Sequence, residues 1–432
     1  MQEHRKRAWL ISLIALTALP AVLLVHFPTL VSARSLALYF SAIVGYMGLV
    51  LLIWMLIIGA KGVMGHIFSD LAPVLSIHKW LGKYGTLAIF THPLLVTIGY
   101  GESLLFSFTP LIDTWPQRHI LLGQIAFWVL LLTWILSALV RNILSWRTWK
   151  YLHYLAYICV PFVLLHVPEL GSQQRSNPFV NAYYMMLVAT YAIVMLVRLT
   201  SLFNLDRTRY RITRHVKLTP LDYMIQLEPV GIRRLTPRFG QYVYVKLGFI
   251  SEDHPFSVTQ YDDVTGSITV TYRISGMYTK ELSGAAVGKT VLLSGPYGTF
   301  MQETHDDTTP VVYIAGGIGV TPFVGRILHE SDKREQWLFS ANRSREVAVL
   351  YGPLKKTLSN RAIAIYSTQG GLPVANEERG YITENVLRKY LSEPQAYRYY
   401  ICGPPVMMDT VRDLLLAMDI KPNQIQSEIF GW

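Results

Sequence analysis

Four histidines fall inside two apolar stretches of the chain, His78 and His92 in one and His153 and His166 in the other, fourteen and thirteen residues apart. Ionisable side chains inside lipid are rare and functional, and paired imidazoles suit low-spin electron-transfer haem. At about 1.5 Å of rise per residue each pair is separated by about 20 Å along its helix, within a hydrocarbon core of about 30 Å. The pairs therefore read as the ligands of two stacked b-type haems, one near each leaflet. A lone intramembrane histidine is more often an interhelical hydrogen-bonding group, so the inference rests on the matched pairs. Their helical phase is uneven. At about 100° per residue, fourteen residues return to within about 40° of the starting face, whereas thirteen miss it by about 140°. The second pair thus requires a distorted helix, and Pro161 lies between its members as a source of a kink.

The elements that must hold these residues are legible in hydropathy. Of the 432 residues, 51% are hydrophobic, and nearly all the long apolar runs precede residue 200. Six spans are expected near residues 8–27, 36–60, 77–100, 120–140, 149–168 and 179–199, each long enough to cross a bilayer. Basic residues mark the cytoplasmic side. They gather before the first span (Arg5, Lys6, Arg7), around the second loop (Lys61, Lys79, Lys83), in the fourth (Arg141, Arg147, Lys150) and after the sixth (Arg198, Arg207, Arg209, Arg211, Arg214). The opposite loops hold only Arg34, Arg118 and Arg175. Both termini are therefore expected in the cytoplasm, with His78 beside His153 at the inner level and His92 beside His166 at the outer one. The basic start, the apolar run and Val31-Ser32-Ala33 also resemble a cleavable leader. The run is long for one, and it is read here as a span.

Two cysteines, Cys159 and Cys402, exclude a disulfide framework, a cysteine zinc site and an iron-sulfur cluster. The net charge of +11 does not point to nucleic acid, because much of the excess flanks the spans.

After Arg209 the pattern changes to short alternating runs at 210–218, 223–228, 241–247, 256–261, 267–274 and 290–293, which predict a small antiparallel barrel. From Val311 onward, runs at 311–315, 336–340, 362–367 and 397–402 alternate with helical segments, the signature of a parallel α/β sheet. The first of these runs leads into Gly316-Gly317-Ile318-Gly319-Val320-Thr321-Pro322 and a helix. Strand, glycine turn and helix N-terminus together form a pyrophosphate site, with Pro322 where a third glycine is usual. A tight turn with no ligand is the competing reading.

His254-Pro255-Phe256-Ser257, Gly295-Pro296-Tyr297-Gly298, Gly317-Ile318-Gly319-Val320-Thr321-Pro322, Cys402-Gly403-Pro404-Pro405 and the terminal Phe430-Gly431-Trp432 occur in this order. Together they resemble the ferredoxin-NADP reductase superfamily, and with the six-span, four-histidine region in front the chain resembles the ferric reductase and NADPH oxidase family. The resemblance implies a multidomain membrane protein: a six-helix transmembrane haem domain over 1–205, an antiparallel β-barrel FAD domain over 206–302 and an α/β NAD(P)H-binding domain over 303–432. It also implies that Pro255, Phe256 and Ser257 line FAD with His254 nearby, and that Arg238, Gln241 and Tyr242 precede them. Arg273, Gly276 and Thr279 correspond to the part that binds the FAD pyrophosphate. Gly317, Gly319 and Thr321, with Gly403 and Pro404, would bind NAD(P)H. Cys402 is either beside the hydride path or a small buried residue. Arg343 and Arg345 follow the second strand of the sheet, where a guanidinium favours NADPH over NADH. Trp432, with Phe430 as competitor, is expected to stack on the flavin and gate hydride transfer.

The implied activity passes electrons from cytoplasmic NADPH or NADH through FAD and two haems, held by His78, His153, His92 and His166, to an acceptor outside the membrane. The expected acceptor is dioxygen, giving superoxide. Ferric chelate, a partner protein and quinone are the alternatives. Animal oxidases of the family carry a further histidine where Val96 stands here, and His119 and Arg118 are candidates to replace it. The compact chain and short loops suggest a bacterial inner membrane.

Overall fold

The computed structural model describes residues 2–60, 64–65, 67–68, 71–110, 112–249, 251–302, 308–330, 333–368 and 374–428. The chain forms two compact units, Met1–Leu202 and Phe203–Trp432.

The first unit is helical. Among the described residues, five helices are long and apolar enough to cross a membrane: Lys6–Leu23, Ala33–Ile58, Trp115–Ala138, Trp146–Leu170 and Pro178–Leu202. Capping boxes start two of them, Ser32 with Ser35 and Thr114 with Gln117, satisfying amide donors that have no intrahelical partner. The expected third span is also helical, but in pieces: Ala72–Trp80, a wide π turn over Leu81–Gly85, Thr86–Ile89 and Thr91–Tyr100. Leu49, Val50, Ile53, Ala126, Cys159, Val160, Tyr183 and Leu187 form the core of the bundle.

The fifth span carries the distortion that the thirteen-residue spacing demands. Its helix runs from Trp146 to His153, tightens at Tyr154 and Leu155, and resumes over Ala156–Leu170. Leu155 donates to Leu152 O at 3.1 Å, Tyr157 to Tyr154 O at 3.0 Å and Ile158 to Leu155 O at 2.9 Å. These three-residue turns advance about 120° per residue instead of about 100°, so the tight segment recovers more than half of the missing 140° or so.

The second unit begins with a closed antiparallel barrel in the order β1-β2-β5-β4-β3-β6. Its strands are β1 (Thr208–Lys217), β2 (Asp222–Pro229), β3 (Tyr242–Lys246), β4 (Asp253–Tyr261), β5 (Ile268–Arg273) and β6 (Thr290–Tyr297). Alternating residues such as Tyr210, Ile212, Ile225, Val243, Val270 and Leu293 fill its interior. The parallel sheet follows in the order β10-β9-β8-β7-β11-β12. It comprises β7 (Val311–Gly316), β8 (Gln336–Asn342), β9 (Ala362–Tyr366), β10 (Glu377–Arg379), β11 (Arg398–Cys402) and β12 (Ile425–Glu428). β7 is buried along its whole length, as a central strand covered on both faces must be. One face packs Tyr313, Phe323, Leu338, Leu354 and Tyr400, and the other packs Ile314, Phe339, Ile363, Leu387 and Leu415. The chain order reverses between β7 and β11, which is where open α/β sheets bind ligands.

Candidate redox site

The inner two histidines meet as the sequence pairs them. The rings of His78 and His153 lie 6.0 Å apart at 78° to one another. Two imidazoles sharing one metal ion, with metal–nitrogen bonds of about 2.0 Å, have ring centres separated by about 6 Å. His166 lies within electrostatic reach of His92. Ring orientation supports the same reading. Nδ1 of His92 is 2.9 Å from Ser41 O, Nδ1 of His166 is 2.7 Å from His119 O, and Nδ1 of His153 is 3.0 Å from Ser137 Oγ. Metal-ligating histidines almost always donate their second ring nitrogen to an oxygen, which fixes the tautomer and leaves Nε2 for the metal. His78 differs, since its buried Nδ1 makes no well-aligned hydrogen bond and only the Met55 backbone is near enough to offer one.

Small residues make room beside the rings. A Cβ on Gly45 would lie 3.1 Å from His92 Cε1, one on Gly59 would lie 3.5 Å from His78 Cε1, and one on Gly123 would lie 2.5 Å from His166 Cε1. Gly45 and Gly59 are fourteen residues apart, as are Gly123 and Ser137. The second span thus repeats the fourteen-residue spacing of the histidines it faces, whereas the fourth sets fourteen residues against the thirteen between His153 and His166. The chemistry of this donor set fits haem.

On the barrel, His254, Pro255, Phe256 and Ser257 lie on β4, beside β3 and β5. His254 stacks on Tyr278 at 4.0 Å, and Phe256 contacts Tyr272 at 5.7 Å. Gln241 ties two loops together, accepting from Arg238 N at 2.9 Å and donating to Gly298 O at 3.1 Å. Tyr242 packs with Tyr244 and Tyr297. The Arg238 side chain is exposed. Arg273 is held by Asp222, with Nε 2.7 Å from Oδ1 and Nη2 2.9 Å from Oδ2. Its remaining arm, Nη1, is 3.3 Å from the position a Cβ on Gly317 would take. The guanidinium therefore reaches the glycine turn of the sheet. Thr279 Oγ1 accepts from Ser275 N and Gly276 N and donates to Gly276 O, closing the turn before the helix Met277–Ser283.

At the switch point the glycine turn and the Cys402-Gly403-Pro404 turn press together. A Cβ on Gly319 would lie 2.4 Å from Cys402 O, and one on Gly403 would lie 2.9 Å from Gly316 Cα. Gly317 has φ +55°, in the left-handed region that glycine tolerates. Thr321 opens the following helix, Thr321–Glu330. Gly317, Gly319, Thr321, Cys402, Gly403 and Pro404 are thus brought to one edge. Cys402 is fully buried, and burial together with the Glu428 carboxylate pushes its thiol well above the ordinary value. Burial thus favours the protonated thiol over the thiolate. Arg343 and Arg345 follow β8, but they differ. Arg345 forks onto Glu377, with Nε 3.0 Å from Oε1, while Arg343 is exposed and its guanidinium has no partner among the described residues. Phe430 and Trp432 lie outside the described residues.

Residues 44–164 match the family described as ferric reductase like transmembrane component, and residues 313–413 match the oxidoreductase NAD-binding domain. The chain thus joins a ferric reductase-like transmembrane component to an oxidoreductase NAD-binding domain. The NAD-binding match falls in the second unit, and the fused architecture expected from the motifs is present. That unit is similar to a component of the Na(+)-translocating NADH-quinone reductase of Psychrobacter cryohalolentis, at 26% identity over 45% of this chain and 52% of that one. It is also similar to the electron transfer component of the 2-halobenzoate 1,2-dioxygenase of Burkholderia cepacia, at 24% identity over 49% of this chain and 63% of that one. The chain thus spans between about half and just under two thirds of the length of these relatives. Among solved structures, the FAD/NAD binding domain of the Vibrio cholerae nitric oxide dioxygenase is 19% identical, with a TM-score of 0.48, covering 52% of this chain and all of that one.

Several residues of this candidate site carry no sequence signal. Ser41 and His119 act through backbone carbonyls, which any residue supplies. Ser137 and the three glycines sit singly in apolar helices. Asp222 and Glu377 look like ordinary charges until the sheets bring them against Arg273 and Arg345.

Proposed function

We propose that this oxidoreductase passes electrons from cytoplasmic NADPH, with NADH as the alternative donor, to dioxygen outside a bacterial inner membrane, giving superoxide. The carrying observation is the ring geometry: paired histidines with Nδ1 held by oxygen in three of four, and 6.0 Å between the inner pair. FAD would convert a two-electron hydride into single electrons, which haem iron accepts one at a time. In this reading His78 with His153 and His92 with His166 hold two haems. Phe256 and Ser257 line the flavin, Arg273 reaches the pyrophosphates, and Gly317, Gly319 and Thr321 give backbone access to the dinucleotide. Arg343 is left for an adenosine 2′-phosphate, while Glu377 occupies Arg345. Trp432 would cover the flavin until nicotinamide displaces it.

Dioxygen is preferred over ferric chelate because the outer loops offer little to concentrate iron. They contain Glu102, Asp113 and Glu169 and no cysteine, and Glu169 is paired with Arg175 at 2.7 Å. His119 and Arg118 add no support for a dedicated oxygen pocket. His119 Nδ1 is 3.0 Å from Trp115 O, and Arg118 Nε donates to Ile112 O at 3.1 Å. Delivery to a partner protein is the second reading, favoured by the dioxygenase electron transfer component among the relatives. Purified chain supplied with FAD and NADPH decides between them. Superoxide-dismutase-sensitive dye reduction matching NADPH consumption supports the oxidase. Turnover only with Fe(III) chelate, or only with an added protein, overturns it.

A further inference from the structure

We propose that Arg198 and Trp149 clamp the two propionates of the inner haem. The proposal rests on the reading of His78 and His153 as that haem's ligands. It arises from two buried N–H groups that have no hydrogen-bond partner, Arg198 Nε and Trp149 Nε1. Buried donors are almost always paired, so two orphans at one site call for an acceptor beyond the Tyr157 side chain, which bonds another part of the guanidinium.

Both donors sit beside the inner histidines. Arg198 belongs to the sixth span, and its guanidinium lies 5.3 Å from the centre of the Tyr157 ring. Its Nη2 is 3.6 Å from the point a Cβ on Gly59 would occupy, and His78 Cε1 is 3.5 Å from the same point. Guanidinium and imidazole therefore meet over Gly59. Trp149 stacks on His153 at 4.9 Å and 17°, and Arg141 lies 4.7 Å from its ring. One orphan donor thus accompanies each histidine of a pair whose rings are 6.0 Å apart.

The acceptor chemistry follows. A guanidinium in a membrane span needs an anion, and a planar fork matches a carboxylate. The spans 33–58, 115–138, 146–170 and 178–202 contain one acidic residue, Glu169, at the outer end. A porphyrin brings two carboxylates on one edge, one for each donor. A lipid phosphate shares the anionic chemistry but would be reached from outside the bundle, away from the histidine pair.

The test is a redox titration of the full-length chain in detergent, with the outer haem as internal reference. Wild-type protein must first show two low-spin haems per chain. If it does not, the bis-histidine reading fails, independently of the clamp. Given two haems, Arg198→Gln removes a positive charge that disfavours ferric iron. The ratio of reduced to oxidised inner haem at fixed potential should fall about tenfold, equal to about 59 mV for one electron. Trp149→Phe should shift it by a smaller factor in the same direction, and Arg198→Lys should recover most of the change. Both Arg198→Gln and Trp149→Phe should alter the propionate bending bands in resonance Raman spectra. If Arg198→Gln does not assemble, Trp149→Phe and Arg198→Lys carry the test. Unchanged inner-haem potentials and unchanged propionate bands overturn the clamp, and a change that appears only with anionic lipid assigns Arg198 to a phosphate instead.

Discussion

At the residue scale, the site depends on groups that orient other groups. Arg273 can present Nη1 to the glycine turn because Asp222, fully buried, holds its other two nitrogens. Asp222→Asn keeps the shape and removes the charge, leaving the guanidinium partly unpaired. The expected loss is about 2–3 kcal/mol, below the range for fully buried pairs because Arg273 is part exposed. Flavin content per chain and the thermal midpoint should both fall, and Arg273→Lys should lower flavin content as well, since an ammonium cannot fork. Retained flavin in both variants would remove Arg273 from the site. Cys402 gives a second test at this scale. Its raised pKa means that the folded state prefers the protonated thiol, so the linked stability is full below the ordinary value of 9.0 and is lost as pH rises above it. Iodoacetamide should leave Cys402 unmodified in native protein at pH 8 and label it after unfolding. Rapid native labelling would contradict the burial.

At the scale of elements, spacing matters more than residue identity. Fourteen residues recur in the second, third and fourth spans, as Gly45 and Gly59, His78 and His92, and Gly123 and Ser137, and the fifth span achieves the equivalent register in thirteen by tightening at Tyr154 and Leu155. The histidines were legible because an ionisable residue stands out in an apolar run. The glycines were not, since a single glycine in a hydrophobic helix has no distinguishing neighbour. Strands β10 and β12 were missed for a related reason: Glu377–Arg379 and Ile425–Glu428 are short and polar, and they pair only because the sheet offers an edge. The barrel and the central strands were legible because alternation and continuous apolar runs are set by which faces are buried. A Cβ on Gly123 would sit 2.5 Å from the His166 ring, so Gly123→Ala should displace that imidazole at a cost of about 1–3 kcal/mol. The expected result is loss of the outer haem's spectrum with the inner one retained. Gly319→Ala drives a Cβ to 2.4 Å from the Cys402 carbonyl, which cannot yield as a side chain would. It should reduce kcat/KM for NADPH at least about a hundredfold, a loss of about 2.7 kcal/mol, while flavin binding persists. Unaltered kinetics would show that dinucleotide does not enter at the turn.

At the scale of the whole molecule, the proposed direction of electron flow is set by asymmetry in charge and in chemistry. Basic residues flank the span ends proposed to be cytoplasmic and follow the sixth span, after which the chain continues into the second unit. In the proposed topology the histidine pairs lie at two depths, so neither alone would connect a cytoplasmic donor to an external acceptor across about 30 Å of hydrocarbon. This order makes a prediction that distinguishes the two ends of the path. His166→Leu should abolish reduction of a membrane-impermeant acceptor on the far side of proteoliposomes, yet leave anaerobic flavin bleaching by NADPH at its wild-type rate. His153→Leu should do the same to the acceptor and also leave the outer haem oxidised when NADPH is added. Flavin bleaching should remain intact in both because, in the proposed path, hydride transfer depends on the turns at Gly317 and Gly403, which belong to the second compact unit. If His166→Leu slows flavin bleaching as much as acceptor reduction, the two units are not donor and conduit in series. If the far-side acceptor is still reduced, the outer histidine pair is not on the path.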